Sequence, residues 1–199
     1  DKIQFAVPMG TAIIAGNLRH GNHEVDLFVV ENKLENTLQE LKRYKPDIVG
    51  FSVITGSHLE YIKIARAIKQ RLNIPILWGG PHVTFAPKII EEDYADVVCV
   101  GEGEEAALEF ANSFDTLGGK IPTDIKNLWV KVDGKIYRNA VRSRIKNLDE
   151  LPYPARDLFF NKFPIMKNHG IKAFLAHRGC PHKCTYCFNH SYNKMYREQ

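Results

Sequence analysis

Along the first 119 positions, short continuous apolar runs alternate with stretches of helical periodicity. Residues 25–30, 48–53, 76–78 and 97–100 read as buried strands. Leu34, Leu38 and Leu41 recur at the spacing of one helix face, as do Leu59, Ile62, Ala65 and Leu72, and then Ala107, Phe110, Ala111 and Phe114. Pro8-Met9-Gly10 opens a further helix expected to run to about His20. Strand starts lie about 20–30 residues apart, the length of a βα unit. Continuous apolar strands between helices imply a parallel sheet covered on both faces, a doubly wound α/β fold. Its first strand should precede Pro8, where only residues 2–7 are available. The pattern therefore predicts that this strand is present only as an edge, or lies upstream of the chain.

Beyond Gly118-Gly119 the pattern changes. Apolar alternation at residues 128–132 and 135–137 flanks Asp133-Gly134, a two-residue hairpin turn. Leu148-Asp-Glu-Leu-Pro-Tyr-Pro154 follows, its prolines marking a linker. Residues 171–176 read as a new strand ending at Arg178-Gly179. The expected organisation is an α/β unit over 1–119, a hairpin and linker over 120–165, and the start of a second domain over 166–199.

Composition adds one asymmetry. Residues 1–119 hold 11 Lys and Arg against 17 Asp and Glu, and residues 120–199 hold 16 against 6, within an overall net charge of +4. Such a split reads either as two solvated surfaces of opposite sign or as two modules with different partners. In the second case the basic half borders a site for anionic substrate or nucleic acid. The basic half lacks the interleaved aromatic run that nucleic acid binding favours. No stretch of about 18 apolar residues suggests a membrane span, so a cytoplasmic location is expected. The chain opens on Asp1 and ends at Gln199, directly after its most informative segment. It is expected to be a fragment of a longer protein.

Three of the four cysteines fall within eight residues, in Arg178-Gly-Cys180-Pro-His-Lys-Cys184-Thr-Tyr-Cys187-Phe-Asn. Thiolates hold iron–sulfur clusters, and a [4Fe–4S] cube normally takes four protein ligands. Three in one loop leave one iron open to a chelating substrate. Zinc usually wants a second C-x2–4-C or His pair. No such pair follows, although His182 or His190 could supply a fourth ligand. The remaining cysteine, Cys99, lies in an expected buried strand and reads as a small core residue.

The C-x3-C-x2-C spacing, with an aromatic before the last cysteine, resembles the cluster motif of the radical S-adenosylmethionine superfamily. The resemblance implies that Cys180, Cys184 and Cys187 ligate a [4Fe–4S] cluster and that Tyr186 packs near the adenine. The open iron would chelate S-adenosylmethionine, which one electron splits to methionine and a 5′-deoxyadenosyl radical. The family's cluster loop follows the first strand of a partial (β/α) barrel, the position taken here by residues 171–176. The electron would come from a donor such as flavodoxin or ferredoxin.

Ligands of doubly wound sheets sit at the carboxyl ends of the strands. Three such ends here are rich in small residues: Phe51-Ser-Val-Ile-Thr-Gly-Ser57, Trp78-Gly-Gly-Pro-His82 and Val100-Gly-Glu-Gly-Glu104. The last also fits G-x-G-x-x-A, but Glu102, Glu104 and Glu105 would oppose a pyrophosphate there. Together with Pro8-Met-Gly and Leu148-x-Glu-Leu-Pro-x-Pro154, these segments resemble the cobalamin-binding subfamily of radical S-adenosylmethionine enzymes. The resemblance covers nearly the whole chain. It implies cobalamin packed face-on against the barrel mouth, with Ser52, Thr55, Gly56, Gly79, Gly80, His82, Gly101 and Gly103 as candidate lining residues. None of the eight histidines stands in a D-x-H-x-x-G loop, the motif of His-ligated cobalt. His82 reads as a turn residue near the corrin edge.

The activity so implied is methyl transfer to an unactivated carbon of a small molecule or peptide. A cobalamin-dependent cyclase or rearrangement enzyme is the alternative, and a non-enzymatic metal-binding module a further one. No protein side chain is assigned a catalytic role.

Overall fold

The computed structural model describes residues 6–30 and 33–197. Helix α1 (Met9–His20) begins after Pro8, whose fixed φ suits a helix start, and ends at Gly21 with Arg19 and His20 in its last turn. Next come α2 (Leu34–Tyr44), β1 (Val49–Ser52), α3 (His58–Arg71), β2 (Ile76–Gly79), the short α4 (Pro81–Phe85), a 3-10 turn at Pro87–Glu91, and β3 (Val97–Cys99). Helix α5 (Glu104–Thr116) starts with Glu104 and Glu105 in its first turn, where the helix dipole favours negative charge. The hairpin strands β4 (Leu128–Val132) and β5 (Lys135–Arg138) follow, turning at Asp133 and Gly134, which both take positive φ.

The sheet order is β1-β2-β3-β4-β5. β1 to β3 run parallel, and β4 pairs antiparallel with β3, so the hairpin continues the same sheet past Gly118-Gly119. The period of two along β3 divides the core between the two faces. Val98 and Val100 join Ile76, Trp78, Ala65 and Ile68 on the α2–α3 side. Val97 and Cys99 join Phe110, Phe114, Leu128 and Val130 under α5. At the amino edge of the sheet, Asp96 accepts Lys69 Nζ at 3.0 Å and the Ile76 N–H at 2.8 Å, pinning α3 to β2.

Two expected strands are absent. Residues 25–30 pack by side chain, with Val25 and Leu27 in one cluster and Phe28 in another, but form no strand. Their backbone is taken by side chains instead. Asp26 accepts the Leu27 N–H at 2.7 Å, Thr37 donates to the Val29 carbonyl, and Arg19 donates to that of Val25. Residues 171–176 also carry no regular structure. Arg156 donates to the Ala173 carbonyl at 2.5 Å, and Ile171 and Phe174 are exposed. No described strand lies alongside, and a strand needs a partner. Of the expected first strand, residues 2–5 lie outside the described residues, and Ala6 and Val7 are irregular.

The linker is more ordered than its prolines suggest. A 3-10 turn at Leu148–Glu150 leads to α6 (Arg156–Lys162) and α7 (Pro164–Asn168). Ala155, Leu158, Phe159 and Met166 bury themselves against Val7, Ala12 and Ala15 of the α1 region. The Ala155 N–H donates to the Ala12 carbonyl at 2.8 Å, and Gly16 leaves room for the Tyr153 carbonyl. A final helix, α8 (Asn189–Arg197), follows the cysteines. No helix among the described residues is long and apolar enough to cross a membrane.

Candidate functional site

The carboxyl ends of β1 and β2 form a ledge. After Ser52, the Val53 N–H donates to the Gly79 carbonyl at 2.8 Å, and the Val53 carbonyl accepts the His82 N–H at 3.0 Å. Gly80 is required between them. Its φ is 94°, and a Cβ there would lie 2.6 and 2.7 Å from the Val53 backbone N and O. Ser52, Thr55 and Gly56 are exposed, and no atom approaches the Cβ position of Gly56 within 4 Å. Gly79 stands half-exposed beside them.

His82 crosses this ledge. Its Nδ1 lies 3.1 Å from Thr55 Oγ1, and its ring stacks on that of His58 with centroids 4.3 Å apart. Burial, and then the charge of His58, hold the His82 pKa below the ordinary 6.5. The structure thus brings Ser52, Thr55, Gly56, Gly79, Gly80 and His82 together on one edge.

Gly101 and Gly103 face protein instead. The Tyr196 hydroxyl fills the space beside Gly101, and Ile14 and the Cys99 thiol stand at 3.2 and 3.4 Å from the Cβ position of Gly103. Sequence reasoning missed two residues that organise this turn. Thr84 donates to the Gly80 carbonyl at 3.0 Å and accepts the Gly101 N–H at 3.2 Å, tying the ends of β2 and β3. Asn127, fully buried, donates to the carbonyls of Val100 at 2.9 Å and Glu102 at 3.0 Å. Neither carries a local sequence signal, since both act across the fold.

Cys180 and Cys187 are half-buried and Cys184 is exposed, in one irregular loop. The Cys187 N–H donates to the Cys184 carbonyl at 3.1 Å, and Asn189 Nδ2 approaches Cys187 Sγ at 3.4 Å. Tyr186 points to solvent. Among the described residues no three His, Cys, Asp or Glu side chains converge in a way that could hold a metal ion. The donor chemistry nevertheless suits iron–sulfur binding, with three thiols in one accessible loop, and such loops commonly close only on the metal.

The flanks of the loop rest on the same sheet edge. Phe188 meets Phe85 of α4 at 5.6 Å between centroids. Arg178 pairs with Glu102 and Glu104 after β3. Burial opposes its charge, but the hydrogen bond and charge of Glu104, and then the nearby Glu102 carboxylate, outweigh this and raise the guanidinium pKa above its ordinary value. A cleft of about 330 Å³ opens here, between Arg144–Asp149 and residues 176–178, with Glu102 in its wall.

The B12 binding domain family matches residues 4–111. An uncharacterized methyltransferase of Pyrococcus horikoshii is 31% identical over 189 residues, covering 90% of this chain and 40% of that protein. An anaerobic magnesium-protoporphyrin IX monomethyl ester cyclase of Rubrivivax gelatinosus is 28% identical over 204 residues, covering 96% of this chain and 36% of that protein. The chain therefore spans at most about two fifths of the length of these relatives. The solved structure of the cobalamin-dependent S-adenosylmethionine radical enzyme OxsB, with aqua-cobalamin and S-adenosylmethionine bound, superposes with a TM-score of 0.71 at 19% identity. It covers 92% of this chain and 26% of that one, and the likeness extends the shared fold well past the B12 binding segment.

Proposed function

From the premise that this chain belongs to the B12 binding domain family, we propose that it is part of a radical S-adenosylmethionine enzyme that uses cobalamin to methylate an unactivated carbon. The observation that carries this reading is a shared edge. The open ledge of Ser52, Thr55, Gly56, Gly79 and Gly80 and the flanks of the three-cysteine loop both sit at the carboxyl ends of β1 to β3.

The ledge fits a broad flat ligand. Glycine backbone at Gly56, Gly79 and Gly80 permits close approach, and Ser52 and Thr55 offer hydroxyls at its rim. His82, with Nδ1 engaged by Thr55 Oγ1 and its ring stacked on His58, orients that rim rather than ligating cobalt. Cys180, Cys184 and Cys187 would hold the [4Fe–4S] cluster, leaving one iron open, and Tyr186 is free to pack on an adenine. When bound, the cluster with S-adenosylmethionine supplies radical C–H activation and cobalamin supplies the methyl carrier. The chain's own part is to hold both on one edge. The substrate, a small molecule or peptide, and the electron donor, of the flavodoxin or ferredoxin kind, belong to the same proposal.

A second reading, a cobalamin-dependent cyclase that moves no methyl group, draws on the magnesium-protoporphyrin cyclase relatives. Anaerobic reconstitution with iron, sulfide and hydroxocobalamin tests the common core. About four irons and about one cobalt per chain support it. Iron without cobalt leaves a radical enzyme without the carrier, and neither metal ends both readings. Transfer of label from methyl-labelled S-adenosylmethionine to product then separates the methyltransferase from the cyclase.

A further inference from the structure

The Glu102 and Glu104 carboxylates, set aside above as unfit for pyrophosphate, have a different employment. Both are buried, with side-chain exposures of 5% and 6%. Between them lies the guanidinium of Arg178, itself 17% exposed. Its Nη2 donates to Glu104 Oε1, and its Nη1 lies 3.1 Å from Glu102 Oε1 in an ion pair without hydrogen-bond alignment. Glu102 Oε2 accepts the Ile145 N–H at 2.8 Å, while Glu104 Oε2 has no hydrogen-bond partner. One cation thus serves two buried anions, each met by a different Nη of one rigid planar guanidinium.

Arg178 stands two residues before Cys180. Gly179 between them takes φ 88°, and its Cβ position lies 3.2 Å from Arg144 Nη1 and 3.3 Å from Asn193 Oδ1, so the chain turns there in a confined space. The far leg of the loop is bolted to the same turn. Asn193 Nδ2 donates to the Cys180 carbonyl at 2.8 Å, Arg144 Nη2 donates to Asn193 Oδ1 at 2.8 Å, and Tyr196 accepts the Glu102 N–H at 2.8 Å. Both legs of the cysteine loop therefore end on the segment from Gly101 to Glu104.

We propose that Arg178 is a positioning residue that, through Glu102 and Glu104, fixes the cysteine loop at a set distance from the cobalamin ledge. This rests on the function proposed above for what the two sites hold, but the ionic link itself does not. Removing Arg178 leaves two buried carboxylates sharing no cation, which breaks the attachment while leaving all three thiols in place.

The test uses the intact protein with Arg178→Met, Arg178→Lys and Glu104→Gln. In the metal-free protein, hydrogen exchange of the peptide covering 176–190 should rise about tenfold in Arg178→Met, less in the other two, with β1 to β3 unchanged. In protein loaded with iron, sulfide and cobalamin, Arg178→Met should keep its iron content. The magnetic coupling between reduced cluster and cob(II)alamin, which reports their separation, should weaken, and Arg178→Lys should recover only part of it. Unchanged exchange in the loop of both Arg178→Met and Glu104→Gln overturns the proposal, as does a rise spread equally over the sheet. If the parent protein takes up no cobalamin, the functional reading fails while the exchange result still decides the link.

Discussion

The hydroxyl of Tyr196 rests against the backbone of Gly101 and accepts the N–H of Glu102 at 2.8 Å. Gly101 has φ 89°, so alanine there meets both a left-handed backbone and an occupied space. Gly101→Ala is expected to destabilise the protein by about 3 kcal/mol, combining backbone strain with a buried N–H left unpaired. Tyr196→Phe loses that hydrogen bond and the longer one shared with the Tyr192 hydroxyl at 3.4 Å, about 1–2 kcal/mol together. Urea midpoints of the two single variants and the double variant check this. The double variant should be less unstable than the sum, because removing the hydroxyl makes room for the methyl.

Asn127 serves the carbonyls of Val100 and Glu102, and its Oδ1 accepts the Arg142 N–H at 2.8 Å. Asn127→Leu removes the side-chain partner of two buried carbonyls and of the part-buried Arg142 N–H, leaving the Glu102 carbonyl only the Cys99 thiol at 3.9 Å, and places a branched side chain at φ 72°. A loss of about 3–4 kcal/mol is expected, read as a lower melting temperature. Asn127→Asp keeps the acceptor for Arg142 but sets a carboxylate oxygen against two carbonyl oxygens, so it should cost at least as much.

The four cysteines should react very unequally. Burial, then the charge of Glu104, pushes the Cys99 thiol up to about 12, with Arg142 opposing. Cys184 is exposed. Iodoacetamide at pH 8 should therefore label Cys184 in the native metal-free protein and spare Cys99, as peptide mass spectrometry reads. The sign also fixes a pH dependence. Below the ordinary thiol value of 9.0, Cys99 is protonated in both folded and unfolded chains and contributes no slope. From pH 9 toward pH 12 only the unfolded chain loses the proton, so stability falls as pH rises. Cys99→Ala should flatten that alkaline limb.

His82 should titrate below 6.5 in the folded protein, by proton NMR of its ring. Its depressed value means that the unfolded chain takes up the proton first as pH falls through 6.5. Stability present above that pH is lost below it. His58→Leu should raise the His82 midpoint by removing the charge, yet leave it under 6.5, because burial is the larger cause.

How much of this was legible in the sequence follows from what each signal measures. Apolar runs at 76–78 and 97–100 became β2 and β3, which lie inside the sheet, whereas the run at 48–53 became its edge strand β1, with Gly50 and Ser52 exposed. The run at 25–30 has the same composition but gives its backbone to Asp26, Thr37 and Arg19, contacts that hydropathy does not encode. Glycines were a good guide where their reason was local. Gly80 is forced by the Val53 backbone and lies on the ledge. Gly101 was equally visible, yet its space is claimed by Tyr196, 95 positions later. Thr84 and Asn127, and the pairing of Arg178 with Glu102 and Glu104, carry no local signal because these contacts reach 17 to 76 residues along the chain.

The hairpin and the strap over α1 set a limit on dissection. β4 supplies the antiparallel neighbour of β3, and Ala155, Leu158 and Phe159 cover Ala12 and Ala15. A version cut at Gly119 would expose the backbone edge of β3 and an apolar helix face together, inviting edge-to-edge association in place of folding. A version ending after α7 keeps both covered, making it the smaller piece from which ligand uptake by the sheet can be weighed apart from the thiols.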